Sequence, residues 1–164
     1  MPTKQRNKSE KRGTIYAILA AVCAAWPAPA HPVTTPEPIR FTCDAVLVWD
    51  GDGPITCADG RKVRLAGIST REQDGSCRKG HPCTKVSGIA ARGRLARLMG
   101  GSLGSTSDGH VRVNARLSCD VTGFSYGRVT AFCRTARNVD LSCAMVASGY
   151  AAIWPKYWAG HRCP

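Results

Sequence analysis

The chain has 164 residues and carries 23 Lys and Arg against 11 Asp and Glu, a formal net charge of +12. This length suffices for one domain with an apolar core and some additional sequence at its ends, and it excludes a second domain of ordinary size. The strong positive charge indicates a polyanionic partner, although charge spread over the surface for solubility alone would give the same balance.

The first thirty residues have the organisation of an export signal. An apolar run over 15–26 is followed by Ala28-Pro29-Ala30, and five basic residues precede it: Lys4, Arg6, Lys8, Lys11 and Arg12. We expect cleavage after Ala30 and an exported protein, periplasmic or secreted, without stable membrane insertion. The apolar run is short for a membrane span, and a retained membrane anchor is the alternative.

The remaining chain stays strongly cationic. Without residues 1–30 it keeps 18 basic and 10 acidic side chains, a formal charge of +8, and 14 of the basic residues are Arg. Because Arg binds phosphate through a bidentate fork and stacks on bases, this composition favours a phosphate-bearing polyanion.

The first half of the mature chain predicts a linker and then a strand meander. Prolines mark residues 31–40 as a linker, and the domain spans residues 41–158. Strict alternation over 41–49 predicts a strand whose odd-numbered side chains are buried. Asp50-Gly51-Asp52-Gly53 predicts a hairpin turn, since Asp-Gly pairs tolerate positive φ. Two short strands, at 55–57 and around 63–66, complete the meander.

The second half predicts two helices and a strand pair. We expect a surface loop over 68–83 and an amphipathic helix over 84–99. Alternation over 111–119 predicts a strand whose partner is 128–134. The connection, 120–126, is expected to be longer than a tight hairpin.

Asp140 can cap a further helix that ends at Gly149. Trp154, Tyr157 and Trp158 are interpreted as core and tail packing rather than as a base-stacking surface, and residues 159–164 form a C-terminal tail. The histidines lie in loops or in this tail and are assigned no role.

Eight cysteines follow the predicted signal, an even number that predicts four disulfides in an exported chain. They are Cys43, Cys57, Cys77, Cys83, Cys119, Cys133, Cys143 and Cys163. Their pairing is open except for Cys77 and Cys83, which bracket a short loop containing Gly80 and Pro82. A zinc site built from these two cysteines and His81 is the alternative.

Four short motifs occur in a characteristic order: Val48-Trp49-Asp50-Gly51-Asp52, then Val63-Arg64-Leu65 through Thr70-Arg71-Glu72, then Tyr126-Gly127-Arg128, and finally Ser148-Gly149-Tyr150. Carboxylates at a turn can hold a hard cation, and guanidinium groups can hold a phosphate. Over residues 41–158 the chain resembles the staphylococcal-nuclease-like (thermonuclease) family. The resemblance, with the predicted element order, implies an α+β, mainly β fold: a disulfide-bonded five-stranded OB-fold barrel with two or three helices.

The resemblance also implies a role for each motif residue. Asp52 and the Thr70 carbonyl match ligands of a calcium ion or another hard divalent cation, with Asp50 in its outer shell. Glu72 matches the carboxylate that activates or orients the attacking water. Arg64 and Arg128 match the guanidinium groups that hold the scissile phosphate, and these three residues are the implied catalytic set. Tyr126 matches a substrate-contacting tyrosine.

The chain departs from the family pattern next to the implied metal site. The family has a second calcium-binding aspartate where this chain has Ser69, and a proline where it has Arg71. With one anionic ligand fewer and a cation added, we expect a weakened site, because affinity for hard cations follows ligand charge.

Three functions are consistent with these features. The leading hypothesis is a monomeric, metal-dependent hydrolase, an endonuclease that cleaves DNA or RNA phosphodiesters with low sequence specificity. The alternative is a catalytically impaired OB-fold module that binds nucleic acid. A disulfide scaffold that binds another protein or an envelope polymer would explain the cysteines but not the Asp, Arg and Glu pattern.

Overall fold

The computed structural model describes residue 37, residues 39–158 and residues 160–164. The predicted signal peptide and seven of the ten residues of the predicted linker lie outside the described residues. The described part is mainly β, with three helices. Its elements are β1 Arg40–Val48, β2 Ile55–Cys57, β3 Lys62–Leu65, β4 Ile68–Ser69, α1 Gly88–Leu98, β5 Val111–Ser125, β6 Arg128–Thr135, α2 Leu141–Ala147, β7 Ala152–Ile153 and α3 Pro155–Trp158.

Five of the strands form one closed sheet. The strand order is β1-β2-β3-β6-β5, and β5 pairs with β1 again, so the pairing closes into a barrel. All pairs are antiparallel except β3 with β6. The predicted meander of β1, β2 and β3 is confirmed. Strands β4 and β7 form a separate two-stranded sheet.

The predicted alternation in β1 is correct only for its first half. Cys43 and Ala45 are buried as expected, but Val48 is buried instead of Leu47 and Val46 is 37% exposed. The cause is a register shift between Ala45 and Leu47 in the pairing with both neighbouring strands. A bulge of this kind adds a residue to one strand and reverses the alternation beyond it.

The prediction of a long connection before β6 is wrong. Strand β5 continues to Ser125 and β6 begins at Arg128, so the turn has only two residues, Tyr126 and Gly127. Both have positive φ, 49° and 72°. Two positive φ values give the turn a twist that matches antiparallel strands. A register shift between Val121 and Gly123 breaks the alternation in this part of β5, which is why the sequence pattern ended early.

Helix α1 begins four residues later than predicted. Ser87 is its N-cap, and the Ser87 hydroxyl accepts a hydrogen bond from the Ala90 amide at 3.3 Å. The first helical residue is Gly88, where a Cβ atom would lie 2.4 Å from the Glu72 carbonyl oxygen. The predicted cap of α2 is confirmed, since the Asp140 carboxylate accepts from the Cys143 amide at 3.0 Å.

Four disulfides are present, as predicted. Cys43–Cys57 joins β1 to β2, and Cys119–Cys133 joins β5 to β6. Cys77–Cys83 closes the predicted short loop, so the alternative of a zinc site at these cysteines is not supported. Cys143–Cys163 ties the chain end to α2. Within the described residues, no helix has the length and apolarity needed to cross a bilayer.

Candidate phosphate-binding site

The acidic turn after β1 is packed against the protein interior. A Cβ atom on Gly51 would lie 2.5 Å from Ala91 Cβ and 2.8 Å from Thr70 Cγ2, so only glycine allows this approach of the turn to α1. As a result the carboxylates on either side of Gly51 are removed from solvent: Asp50 is 8% exposed and Asp52 is 4% exposed. The segment is therefore a buried turn and not a solvent-exposed one.

Asp52 is paired with Arg64. Arg64 Nη1 donates to Asp52 Oδ1 at 3.1 Å, and Nη2 donates to Oδ2 at 2.7 Å. The backbone reinforces this pair, because the Leu65 amide donates to the Asp52 carbonyl at 2.9 Å. The Thr70 amide also donates to Asp52 Oδ2, at 3.4 Å. A two-point contact of this kind fixes the plane and direction of the guanidinium group.

Asp50 lies next to this ion pair but lacks a cationic partner among the described residues. Its Oδ1 accepts a hydrogen bond from the Asp52 amide at 3.1 Å. Burial, and then the negative charge of Asp52, raise the pKa of Asp50 to about 8, and the charge of Glu72 contributes in the same direction. The three carboxylates are therefore close enough for their charges to interact.

Oxygen donors from two segments meet beside the acidic turn. Ser69 ends β4 and is 1% exposed, and Thr70 follows it at 7% exposed. Together with Asp50 and Asp52 they offer carboxylate, hydroxyl and carbonyl oxygens, the ligand types that calcium and other hard cations take. Burial first, and then the charge of Asp52, raises the pKa of Asp50, so a cation bound here would favour its ionised form. This donor set fits a divalent cation, with two buried carboxylates and with Asp52 shared with Arg64.

Glu72 lies on the loop after β4, and neighbouring contacts fix its position. Its backbone is held by hydrogen bonds to Ser76 and Gly75, both at 3.0 Å. Gln73, the next residue, donates to the Trp49 carbonyl at 2.5 Å and accepts from Arg92 of α1 at 2.9 Å. The Glu72 carboxylate is one-third exposed and lies 3.4 Å from Arg78 Nε.

Arg64 and Arg128 line the same groove, which has a volume of about 730 Å³. The parallel pairing of β3 and β6 places Arg64 opposite Thr130, and Arg128 lies two residues before Thr130 on the same face of the sheet. Arg128 Nε donates to the Ser125 carbonyl at 3.4 Å. Tyr126 also lines the groove and is 92% exposed at the tip of the β5–β6 hairpin.

The structure thus brings the predicted site residues together in two adjoining layers. Arg64, Arg128 and Tyr126 line the groove. Asp52 contacts Arg64 without lining the groove, and Asp50, Thr70 and Glu72 likewise lie outside its lining. The guanidinium groups therefore face the groove, and the carboxylates do not.

Several groove residues were missed by sequence reasoning. Trp154 and Tyr157 line the groove, so they are not only core and tail packing, whereas Trp158 packs against Phe132 with ring centroids 6.0 Å apart. His81, which was assigned no role, lies against Trp154 with ring centroids 4.2 Å apart. Burial, then the charges of Arg64 and Arg78, lower the pKa of His81. No local sequence pattern indicates a role for His81, because its position in the groove depends on the disulfide loop.

A second cluster of metal-ligand residue types lies away from the groove. Ligand atoms of Asp140, Cys143 and His161 are within 4.8 Å of one another. Cys143 is bonded to Cys163, so its sulfur is not a free thiolate. Asp140 caps α2, and its Oδ2 lies 2.9 Å from His161 Nε2. The His161 ring stacks on the Phe132 ring with centroids 3.6 Å apart. These contacts attach the C-terminal segment to the domain, and this attachment accounts for the cluster.

No family model, curated protein or solved structure matches the chain.

Proposed function

We propose that the chain is an exported phosphodiesterase, an endonuclease that hydrolyses DNA or RNA with low sequence specificity on an OB-fold barrel. The observation that carries this proposal is that Arg64 and Arg128, from neighbouring strands, line one groove, with the direction of Arg64 set by Asp52. The barrel order β1-β2-β3-β6-β5, with a helix between β3 and β5, agrees with an OB-fold.

Two guanidinium groups on one groove suit a phosphodiester under attack by water. Negative charge grows on the phosphate oxygens as the transition state forms, and fixed donors aimed at those oxygens lower the barrier. Arg64 needs little reorganisation, since Asp52 already holds it in a two-point contact. Glu72 is the candidate to accept a proton from the attacking water, because its carboxylate is partly solvent-exposed and lies 3.4 Å from Arg78, which lines the groove.

A divalent cation would be held by Asp52, Asp50 and the Thr70 carbonyl. When bound, it would polarise a phosphate oxygen and lower the pKa of a coordinated water. The protein's own contribution is to hold the substrate phosphate between Arg64 and Arg128 and to keep Asp50 and Asp52 buried beside them.

A noncatalytic nucleic-acid-binding module is the second candidate. Two observations favour it: Ser69 supplies no charge where a carboxylate is expected, and Asp52 is already neutralised by Arg64. In such a module the cationic groove would bind the strand without cleaving it.

One assay separates the two candidates. The mature protein is incubated with single-stranded and duplex DNA and RNA, in calcium and in chelator, beside Glu72→Gln. An endonuclease cleaves in calcium, and Glu72→Gln binds the same substrates but cleaves them at least about 100-fold more slowly. Binding of the substrates without cleavage by the wild-type protein supports the module. Absence of both binding and cleavage contradicts any nucleic-acid role.

A further inference from the structure

The groove carries more positive charge than one phosphate requires. Five cations line it, and no Asp or Glu is among its described lining residues. The five are Arg64, Arg78, Lys79, Arg128 and Lys156. Arg64 and Arg78 already have carboxylate partners. Lys79 and Lys156 form no ion pair with any described residue, so their charge is available to a ligand.

These two lysines come from segments that touch each other. Lys79 lies in the Cys77–Cys83 loop, two residues before His81. Lys156 lies in α3, two residues after Trp154. Because the His81 and Trp154 rings are in contact, the two lysines flank a single aromatic junction on the groove wall. Their long flexible stems allow both ammonium groups to reach one anion.

The wall that carries Lys79 is held in place. The Cys77–Cys83 disulfide closes the loop, and Arg71 spans its base, donating to the Gly75 carbonyl at 2.5 Å and to the Thr84 carbonyl at 3.2 Å. The Trp154 amide donates to the Gly67 carbonyl at 2.7 Å, which anchors the other side of the junction. A preformed wall binds its ligand with a smaller entropy loss than a free loop would.

A second part of the groove wall is aromatic and exposed. Phe124 and Tyr126, on the β5–β6 hairpin, are 77% and 92% exposed and line the same groove. Exposed rings beside backbone-binding cations are the surface on which unpaired bases stack. The ligand that matches both walls is a single nucleic-acid strand with several consecutive phosphates.

We infer that the groove has a second phosphate subsite, formed by Lys79 and Lys156 on the disulfide-closed wall, for the phosphate next to the one between Arg64 and Arg128. The subsite rests on the proposed function and adds a requirement to it: the preferred ligand is an oligonucleotide that spans both subsites. A dinucleotide, with one phosphodiester, can fill only one of them.

Calorimetric titration in chelator with a thymidine dinucleotide and a pentanucleotide tests the subsite. Wild-type protein should bind the pentanucleotide at least about tenfold more tightly than the dinucleotide. Lys79→Ala/Lys156→Ala should lose this difference, keep its dinucleotide affinity and show a salt slope smaller by about 0.7, the value for one phosphate of a single strand that is no longer neutralised. Lys62→Ala/Arg137→Ala is the control with the same charge change, because both residues are exposed and neither lines the groove.

The outcomes separate this inference from the proposed function. If Lys79→Ala/Lys156→Ala binds the pentanucleotide as the wild type does, or if the control pair weakens it equally, the subsite is refuted while the nuclease proposal stands. If wild-type protein binds neither oligonucleotide, both fail. Cys77→Ser/Cys83→Ser should reproduce the lysine variant with the pentanucleotide, and unchanged affinity would show that the disulfide does not organise the subsite.

Discussion

Arg64 and Asp52 form a two-point ion pair, with nitrogen–oxygen distances of 3.1 and 2.7 Å, although they lie twelve positions apart along the chain and strand β2 lies between them. The Asp52 side chain is 6% exposed and that of Arg64 is 16% exposed. Both Asp52 carboxylate oxygens therefore contact the guanidinium group of Arg64, and Arg64 in turn lines the groove. The pair links the candidate cation ligands to the candidate phosphate ligands.

Removing Asp52 should strongly destabilise the protein. Asp52→Ala leaves the partly buried Arg64 charge without its carboxylate partner, and we expect a loss of about 3 kcal/mol in the free energy of unfolding, measured with denaturant. Asp44→Ala is the matched control, because Asp44 faces Arg116 across an exposed 3.7 Å pair. The control should lose less than about 1 kcal/mol. Equal losses would show that the Arg64 pair is an ordinary surface contact.

Asp50 should make stability depend on pH. Its pKa is raised to about 8 in the folded protein, so the folded state retains a proton that the unfolded state releases near pH 4. Ionising the buried carboxylate therefore destabilises the fold as pH rises from about 4 towards 8. In chelator, Asp50→Asn should raise the melting temperature at about pH 9, and this gain should shrink towards about pH 4. A gain that is independent of pH would contradict the assignment.

Substitution by alanine should change the stability of the protein in opposite directions at two glycines of α1. At Gly88 a Cβ atom would lie 2.4 Å from the Glu72 carbonyl oxygen, so Gly88→Ala should destabilise the protein and displace the Glu72 loop. At Gly93 the nearest atom is Arg97 Nη1 at 3.6 Å, so Gly93→Ala should stabilise it by about 1 kcal/mol through helix propensity. Thermal unfolding of both variants checks the pair, and stabilisation by both would mean that α1 does not position the loop.

Local patterns predicted most of the elements but not the points where the pattern shifts. The alternation around Cys43 and Leu117 located β1 and β5 because one face of each strand is buried. The bulges at Ala45/Leu47 and Val121/Gly123 arise from pairing with neighbouring strands, so the sequence pattern alone misplaced Leu47 and the hairpin.

The individual residues of the candidate site could be proposed from the sequence, but their arrangement in space could not. The motif with Asp52 and that with Arg64 were recognisable, but their ion pair depends on how the turn folds against β3. The groove wall with His81 and Trp154 joins residues 73 positions apart, which no local pattern connects. Of the four disulfides, only Cys77–Cys83 could be paired, since its loop is short.

We propose that Arg128 and Arg64 jointly hold the phosphate that is cleaved. The most direct measurement is kcat/KM for oligonucleotide hydrolysis in calcium by wild-type protein, Arg128→Lys and the exposed control Arg137→Lys. Loss of the guanidinium fork at constant charge should lower kcat/KM at least about 100-fold in Arg128→Lys and leave Arg137→Lys at the wild-type value. Equal kcat/KM in all three proteins, or no hydrolysis by the wild type, would contradict the claim.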